Sequence, residues 1–460
     1  MFNLVHRRPR RHLLPAVAAC ALAAATLAVA AAASHSRAAS VSVSIAYTST
    51  QEFNSTQQAK DWFAMLKADF EKAHPGVTVK LIPIGGSYND FVNKINLMLR
   101  SSSTTPDVIH EGTPAVAEQV AAKQLAPLDS YLKSWPDFKL FGPAVRQGGV
   151  AGPHVWQLVS GVVDFELYYN AKQFKRAGLP VPWHPKNWAQ VLTAARKIKQ
   201  DVPGVTPLWL YAGNKVWDQT TRENFLDLLA GTRSPVTKGG KWVVKSKGLL
   251  DTMNFYKTVF STGLGPSQSD LANPAADGEL SGTLMPKQQV AIALAGEWVG
   301  SWWLKNGPAP WAAGINTYKT TPLPTEFGQA PGYATQLQGS TFVMTSASKQ
   351  KQLAAELMEL AESKKFNLLH TEWTGEVPPR SDVGQDPVWQ KSVPYYNAQA
   401  AGVLKYGTFT PAVNYTPFAT CVGEATAGIL AGSASANSAV GTLGSCASHA
   451  IGSSGVTTIP

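Results

Sequence analysis

The residues in this chain best equipped for chemistry are carboxylates, and Asp164 with Glu166 is the first pair to consider. Glycoside hydrolysis needs two carboxyl groups flanking the scissile bond, and side chains at i and i+2 of a strand point to the same face. The spacing therefore permits a secreted glycoside hydrolase, although a chain of 460 residues contains such pairs by chance. Other catalytic patterns are missing from the sequence. It has no Gly-x-x-x-x-Gly-Lys-Ser/Thr phosphate loop, no His-Glu-x-x-His, no Gly-x-Ser-x-Gly elbow and no clustered Cys/His set. Of the nine histidines, His6, His12 and His35 fall in the N-terminal segment and the others stand isolated along the chain. No catalytic residue, cofactor or metal site is expected. Cys421 and Cys446 are spaced for no metal site, and in an oxidising compartment they are expected to form a disulfide. Closing a loop of about 25 residues contributes on the order of 3 kcal/mol.

The length exceeds one ordinary core, so two α/β domains are the natural expectation. Hydrophobic residues make up 44% and charged residues 15%, which indicates a globular chain and excludes a disordered one. Arg7, Arg8, Arg10 and Arg11 precede an Ala-rich apolar stretch from Leu13 to Ala33, followed by small residues to Ala39. This is the pattern of a secretory signal, with cleavage expected between Ala33 and Ala39. Removing residues 1–39 takes five Arg and no acid, lowering the formal charge from +10 to +5, too little to suggest nucleic acid. Cys20, after Val17-Ala18-Ala19, resembles a lipoprotein cleavage site, but the apolar run continues well past it.

Positioning elements can be read along the chain. Val41–Tyr47 alternates as a strand, and Asn54-Ser55 cap a helix with Ala59, Trp62 or Phe63, Leu66, Phe70 and Ala73 on its apolar face. Val77–Leu81 and Pro106–His110 read as strands, with helices between and after them. Strand and helix alternation of this kind builds an open, mostly parallel sheet. The theme repeats through Leu167–Tyr169, Trp188–Lys199, Thr221–Leu229, Leu250–Phe260, Val290–Leu294, Thr341–Met344 and Leu353–Ser363. The Pro/Gly/Thr-rich stretch 307–339 is expected to contain a crossing between domains, and the Ser/Gly/Ala-rich tail 432–460 to be loosely ordered apart from Cys446.

In order and spacing, the segments Phe70-Glu-Lys-Ala-His-Pro-Gly-Val77, Pro106-Asp-Val-Ile109, Leu125-Ala-Pro-Leu128 and Leu167-Tyr-Tyr-Asn170 resemble the family 1 extracellular solute-binding proteins. These are the sugar-capturing subunits of ATP-driven (ABC) importers, with maltose-binding protein the familiar member. Phe174–Leu179, Gly296-Glu-Trp298, Ser346–Lys349 and Val377-Pro-Pro-Arg380-Ser-Asp382 extend the resemblance through most of the chain. It implies an α/β, two-lobed Venus-flytrap fold whose hinge closes on ligand held at the carboxyl ends of strands. The lobes are expected as residues 40–160 with about 336–366, and 161–335 with about 367–460. The implied partners are a carbohydrate and the membrane permease, the protein being a monomer; a polyamine or peptide ligand is the alternative.

A sugar needs planar polar side chains for paired hydrogen bonds and flat aromatics against its C–H faces. The family places a stacking aromatic where Trp298 stands, and a ligand-facing turn where Glu111 stands. Glu111 is a carboxylate where maltose-binding protein has an aromatic. Asp164 occupies a position used for hydroxyl recognition; Thr48 and Gln51 follow the first strand, and Gly339-Ser340 the crossing. Trp217 with Asp218 forms an aromatic–acid pair, and Trp373 and Arg380 bracket a Gly-containing loop. Arg380 either forks onto hydroxyls or ties two loops together.

Overall fold

The computed structural model describes residues 41–460 apart from 51, 87, 149, 151, 393–405 and 411–412. The expected leader, Cys20 and Gln51 lie outside the described residues. Val41–Thr48 (β1) points Val43, Ile45 and Tyr47 into one core and Ala46 into another, so both faces of its sheet are covered. It pairs in parallel with Val77–Ile84 (β2) and Val108–Gly112 (β3). Ser340–Met344 (β12) adds antiparallel to β3, and Gln157–Val159 (β4) to β12, giving the order β2-β1-β3-β12-β4. The helix Thr56–Ala73 begins where Ser55 Oγ accepts the Gln58 amide at 3.1 Å. Its stripe Ala59, Trp62, Phe63, Leu66 and Phe70 is buried, as the i, i+3/i+4 spacing predicts.

A second sheet has its own core. Tyr318–Pro322 (β10), Phe165–Asn170 (β5), Val290–Gly296 (β9) and Thr206–Trp209 (β6) lie in the order β10-β5-β9-β6, with only β6 and β9 parallel. Helices Trp188–Asp201, Lys247–Ser261 and Tyr415–Leu430 contribute to that core. The expected helix Thr221–Leu229 is a π-helical stretch, Thr220–Phe225, running into an α-helix, Leu226–Gly231. Such wide turns occur often at functional sites.

The chain passes between the two sheets at 160–164, joining β4 to β5, and at 338–339, joining Gln336–Leu337 (β11) to β12. The two passages bond to each other: the Val163 amide donates to the Gln338 carbonyl at 2.9 Å, and the Gln338 amide returns a bond at 3.1 Å. A loop of the first lobe lies beside them, with Val162 and Val377 exchanging backbone bonds of 2.8 Å. Gly339 sits at φ +150°, and a Cβ there would stand 1.9 Å from the Gly161 carbonyl oxygen, so crossing backbones require glycine.

Two expectations need correction. The segment returning to the first sheet does not end near residue 366: helices Lys364–Thr374 and Pro387–Ser392 pack Phe366 and Trp389 into the same core as β1. The tail is not loose either. Ala436–Ile451 is a helix burying Ala439, Leu443 and Ala447, and Val456–Thr458 (β14) pairs with Lys241–Lys245 (β8). Cys421 and Cys446 are disulfide-bonded, their Cα atoms 5.5 Å apart. Among the described residues, no helix is long and apolar enough to cross a membrane.

Candidate functional site

The carboxyl ends of β1, β3, β6 and β9 and the two passages bring most of the expected residues toward one region. Thr48 ends β1, buried, with no hydrogen-bond partner for its hydroxyl. Glu111 lies on β3 opposite Thr341; its Oε2 accepts from Gln119 Nε2 at 2.9 Å, while Oε1 is buried without a partner. Burial pushes its carboxyl up to about 8.

Asp164 ends the first passage. Its amide donates to Glu297 Oε2 at 3.0 Å, and burial pushes its own carboxyl up to about 7. Glu297, immediately after β9, is raised well above the usual carboxylate range by burial and then by the charges of Asp164 and Glu376. Ser340 donates to Glu376 Oε2 at 2.7 Å, joining the second passage to the first-lobe loop beside it. Glu297 and Glu376 were missed from sequence. Their signal was position alone, Glu297 beside Trp298 and Glu376 after Gly375 at a helix end.

Trp298 is half-buried at the end of β9. Phe165 meets its ring edge-on at 5.8 Å, and the Arg222 guanidinium lies 5.8 Å from the ring centroid. The ring folds back over Gly296, where a Cβ would stand 1.8 Å from it. Arg222, on the π-helical stretch, reaches Asp218 at 3.1 Å and Glu223 at 3.1 Å. Asp218 also accepts from the Tyr415 hydroxyl at 2.8 Å, so its role is to hold Arg222 and Tyr415. Trp217 is half-buried against the second core. Glu223 Oε2 is buried and unpartnered, and Asp277 accepts from the Tyr211 hydroxyl at 3.4 Å.

Arg380 is not free to meet a ligand. Its guanidinium bonds Asp382 at 3.0 and 2.9 Å, Asp137 at 2.9 Å and the Glu362 carbonyl at 2.7 Å, so it ties loops together within the first lobe. Trp373 is half-buried against the first core, its carbonyl accepting the Asn54 amide at 3.2 Å. Across the cleft, Ser301 Oγ lies 3.0 Å from Asn54 Oδ1 and 3.3 Å from the Thr374 carbonyl, so the two halves touch.

The site combines a half-exposed indole, one guanidinium and several buried, under-bonded carboxylates. Such a set is suited to holding a ligand. Residues 54–367 match the family model described as bacterial extracellular solute-binding protein. An uncharacterized ABC transporter extracellular-binding protein of Pyrococcus horikoshii is 23% identical over 71% of this chain and 70% of its own length. The GacH receptor of Streptomyces glaucescens, solved unliganded and with acarbose, superposes with TM-score 0.71 at 18% identity, covering 90% of this chain and 99% of that one. The sugar-binding protein MalE of Xanthomonas citri gives TM-score 0.71 at 20% identity, covering 88% and 95%. These likenesses carry the two-lobed binding-protein fold over nearly the whole described chain. The family match, spanning well over half the chain, identifies it: this is a member of the bacterial extracellular solute-binding proteins, a family of binding proteins rather than enzymes.

Proposed function

We infer that this protein captures a carbohydrate between its lobes and delivers it to the membrane permease of an ABC importer. The observation that carries the reading is Trp298, an indole standing half-exposed at a strand's carboxyl end and braced by Phe165 and Arg222. An apolar face held rigid beside carboxylates suits a ring with one C–H side and a rim of hydroxyls. The acceptors are Glu111 and Glu297, each with a buried carboxyl oxygen that has no partner within the protein, together with buried Asp164 beside Glu297. The acarbose-binding GacH and the sugar-binding MalE, alike in fold, point the same way. A ligand touching both lobes supplies the differential free energy that distinguishes loaded from empty protein.

A cationic solute is the second reading, favoured by the excess of buried carboxylates over the single Arg222 guanidinium around the site. Calorimetric titration separates the two. Neutral mono- and oligosaccharides are expected to bind while linear polyamines do not; the reverse result would replace the sugar with an amine. Export by the N-terminal leader, with the mature monomer starting between Ala33 and Ala39, completes the proposal; lipidated Cys20 is the alternative start. Intact mass of native protein distinguishes the two starts.

A further inference from the structure

Glu52, His110 and His370 stand far apart in sequence, in a loop after β1, on β3 and on the helix Lys364–Thr374. The fold gathers them. One nitrogen from each histidine and the Glu52 carboxylate all lie within 4.8 Å of one another. Glu52 Oε2 is 3.1 Å from His110 Nδ1, and Oε1 is 2.6 Å from His370 Nε2. Both imidazoles are sealed, with side-chain exposures of 0% and 1%, and Glu52 is only 10% exposed. His110 Nδ1 has no hydrogen-bond partner of good geometry.

One far nitrogen is held as well, and the other faces a carboxylate beyond hydrogen-bond distance. His110 Nε2 meets Ser160 Oγ at 2.9 Å, and His370 Nδ1 faces Glu376 Oε2 at 3.8 Å. Histidines that ligate metal through one nitrogen characteristically use the other to engage a hydroxyl, carbonyl or carboxylate, which fixes the ring and its tautomer. Here His110 carries such an outer partner, His370 Nδ1 has none within hydrogen-bond distance, and both inner nitrogens converge on one carboxylate.

We propose that Glu52, His110 and His370 form a zinc site beneath the hinge side of the first lobe. Two imidazoles and a carboxylate are the three-ligand set that zinc takes with water in the fourth position. Metal–ligand bonds of 2.0–2.1 Å place tetrahedral ligands about 3.3 Å apart. The His110–Oε2 spacing of 3.1 Å is close to that, the His370–Oε1 spacing of 2.6 Å opens by about 0.7 Å, and ligand atoms now within 4.8 Å of one another draw together around the ion. Glu52 stands in a loop, so that opening breaks no strand ladder. The outer partner gives the ion its purpose: Ser160 begins the first passage. Zinc would pin the loop that follows Thr48 to β3 and to the helix Lys364–Thr374, beside that passage.

The test uses untagged mature protein, unfolded in guanidinium with EDTA, refolded metal-free and dialysed against zinc. The expected result is about one zinc per chain by mass spectrometry and a melting temperature at least about 3 °C above that in EDTA. Cobalt(II) should substitute and give the intense visible absorption of four-coordinate sites. Glu52→Gln, close in shape, should abolish stoichiometric zinc while melting in EDTA near the wild-type temperature; His370→Gln should do the same. Refolded wild type with no bound zinc and no thermal shift would overturn the proposal, leaving a metal-free hydrogen-bonded core. Equal zinc content in Glu52→Gln would also overturn it. Neither result depends on which solute fills the cleft.

Discussion

The Asp164 amide donates to the Glu297 carboxylate at 3.0 Å, and the Glu297 amide returns a bond to the Asp164 carbonyl at 3.2 Å. This reciprocal pair fastens the first interlobe passage to the end of β9, immediately before Trp298. The hinge segment and the indole are therefore one mechanical unit, so in the proposed reading a guest against Trp298 would act directly on that segment.

Trp298→Ala should weaken carbohydrate binding by about 10- to 100-fold, the loss of one stacked aromatic face, roughly 1.4–3 kcal/mol. Calorimetry with the best-binding sugar measures it. Trp373→Ala, whose ring packs on the first core, should cost stability with a smaller change in affinity.

The pH dependence of stability should run opposite to that of a salt-bridged acid. Burial pushes the folded Asp164 carboxyl up to about 7, whereas the unfolded chain loses that proton near the ordinary aspartate value. Between about pH 4 and pH 7 the folded state binds more protons, so stability falls as pH rises, by at most about 1.4 kcal/mol per unit for one group. Melting should thus be higher at pH 5 than at pH 7.5. Asp164→Asn should flatten the slope by one group's share, with Glu297, Glu166 and Asp227, also raised by burial, contributing the remainder.

Arg380→Met should destabilise by about 2 kcal/mol, since it strips Asp137, Asp382 and the Glu362 carbonyl of a shared partner. Both carboxylates are partly exposed, which keeps the cost below that of a sealed pair. Sugar affinity should remain within about twofold of wild type, because the guanidinium is engaged within one lobe. Denaturant melts and calorimetry together check the two halves of this expectation.

Where local pattern decides structure, the sequence was legible. The alternation of Val43, Ile45 and Tyr47, the Ser55 cap and the Cys421–Cys446 pair each carry their own physical signal. The helix Ala436–Ile451 was hidden because its Ala, Ser and Gly residues read as loose chain; yet small residues let it lie closely against Tyr415–Leu430 under the disulfide. The helix Lys364–Thr374 follows another helix with no break in pattern, so nothing local says which lobe it joins. His110 and His370 looked isolated because only tertiary contact unites them through Glu52. Arg380 reads from sequence as an anchor or as a fork onto ligand, and packing alone selects the anchor.

A crystal structure of the complex with the tightest-binding sugar tests the central claim most directly. The account predicts a pyranose between the lobes, one C–H face over Trp298, with hydroxyls donating to Glu111, Asp164 or Glu297. Density for the sugar on an outer surface, or in the cleft away from the indole, would contradict it.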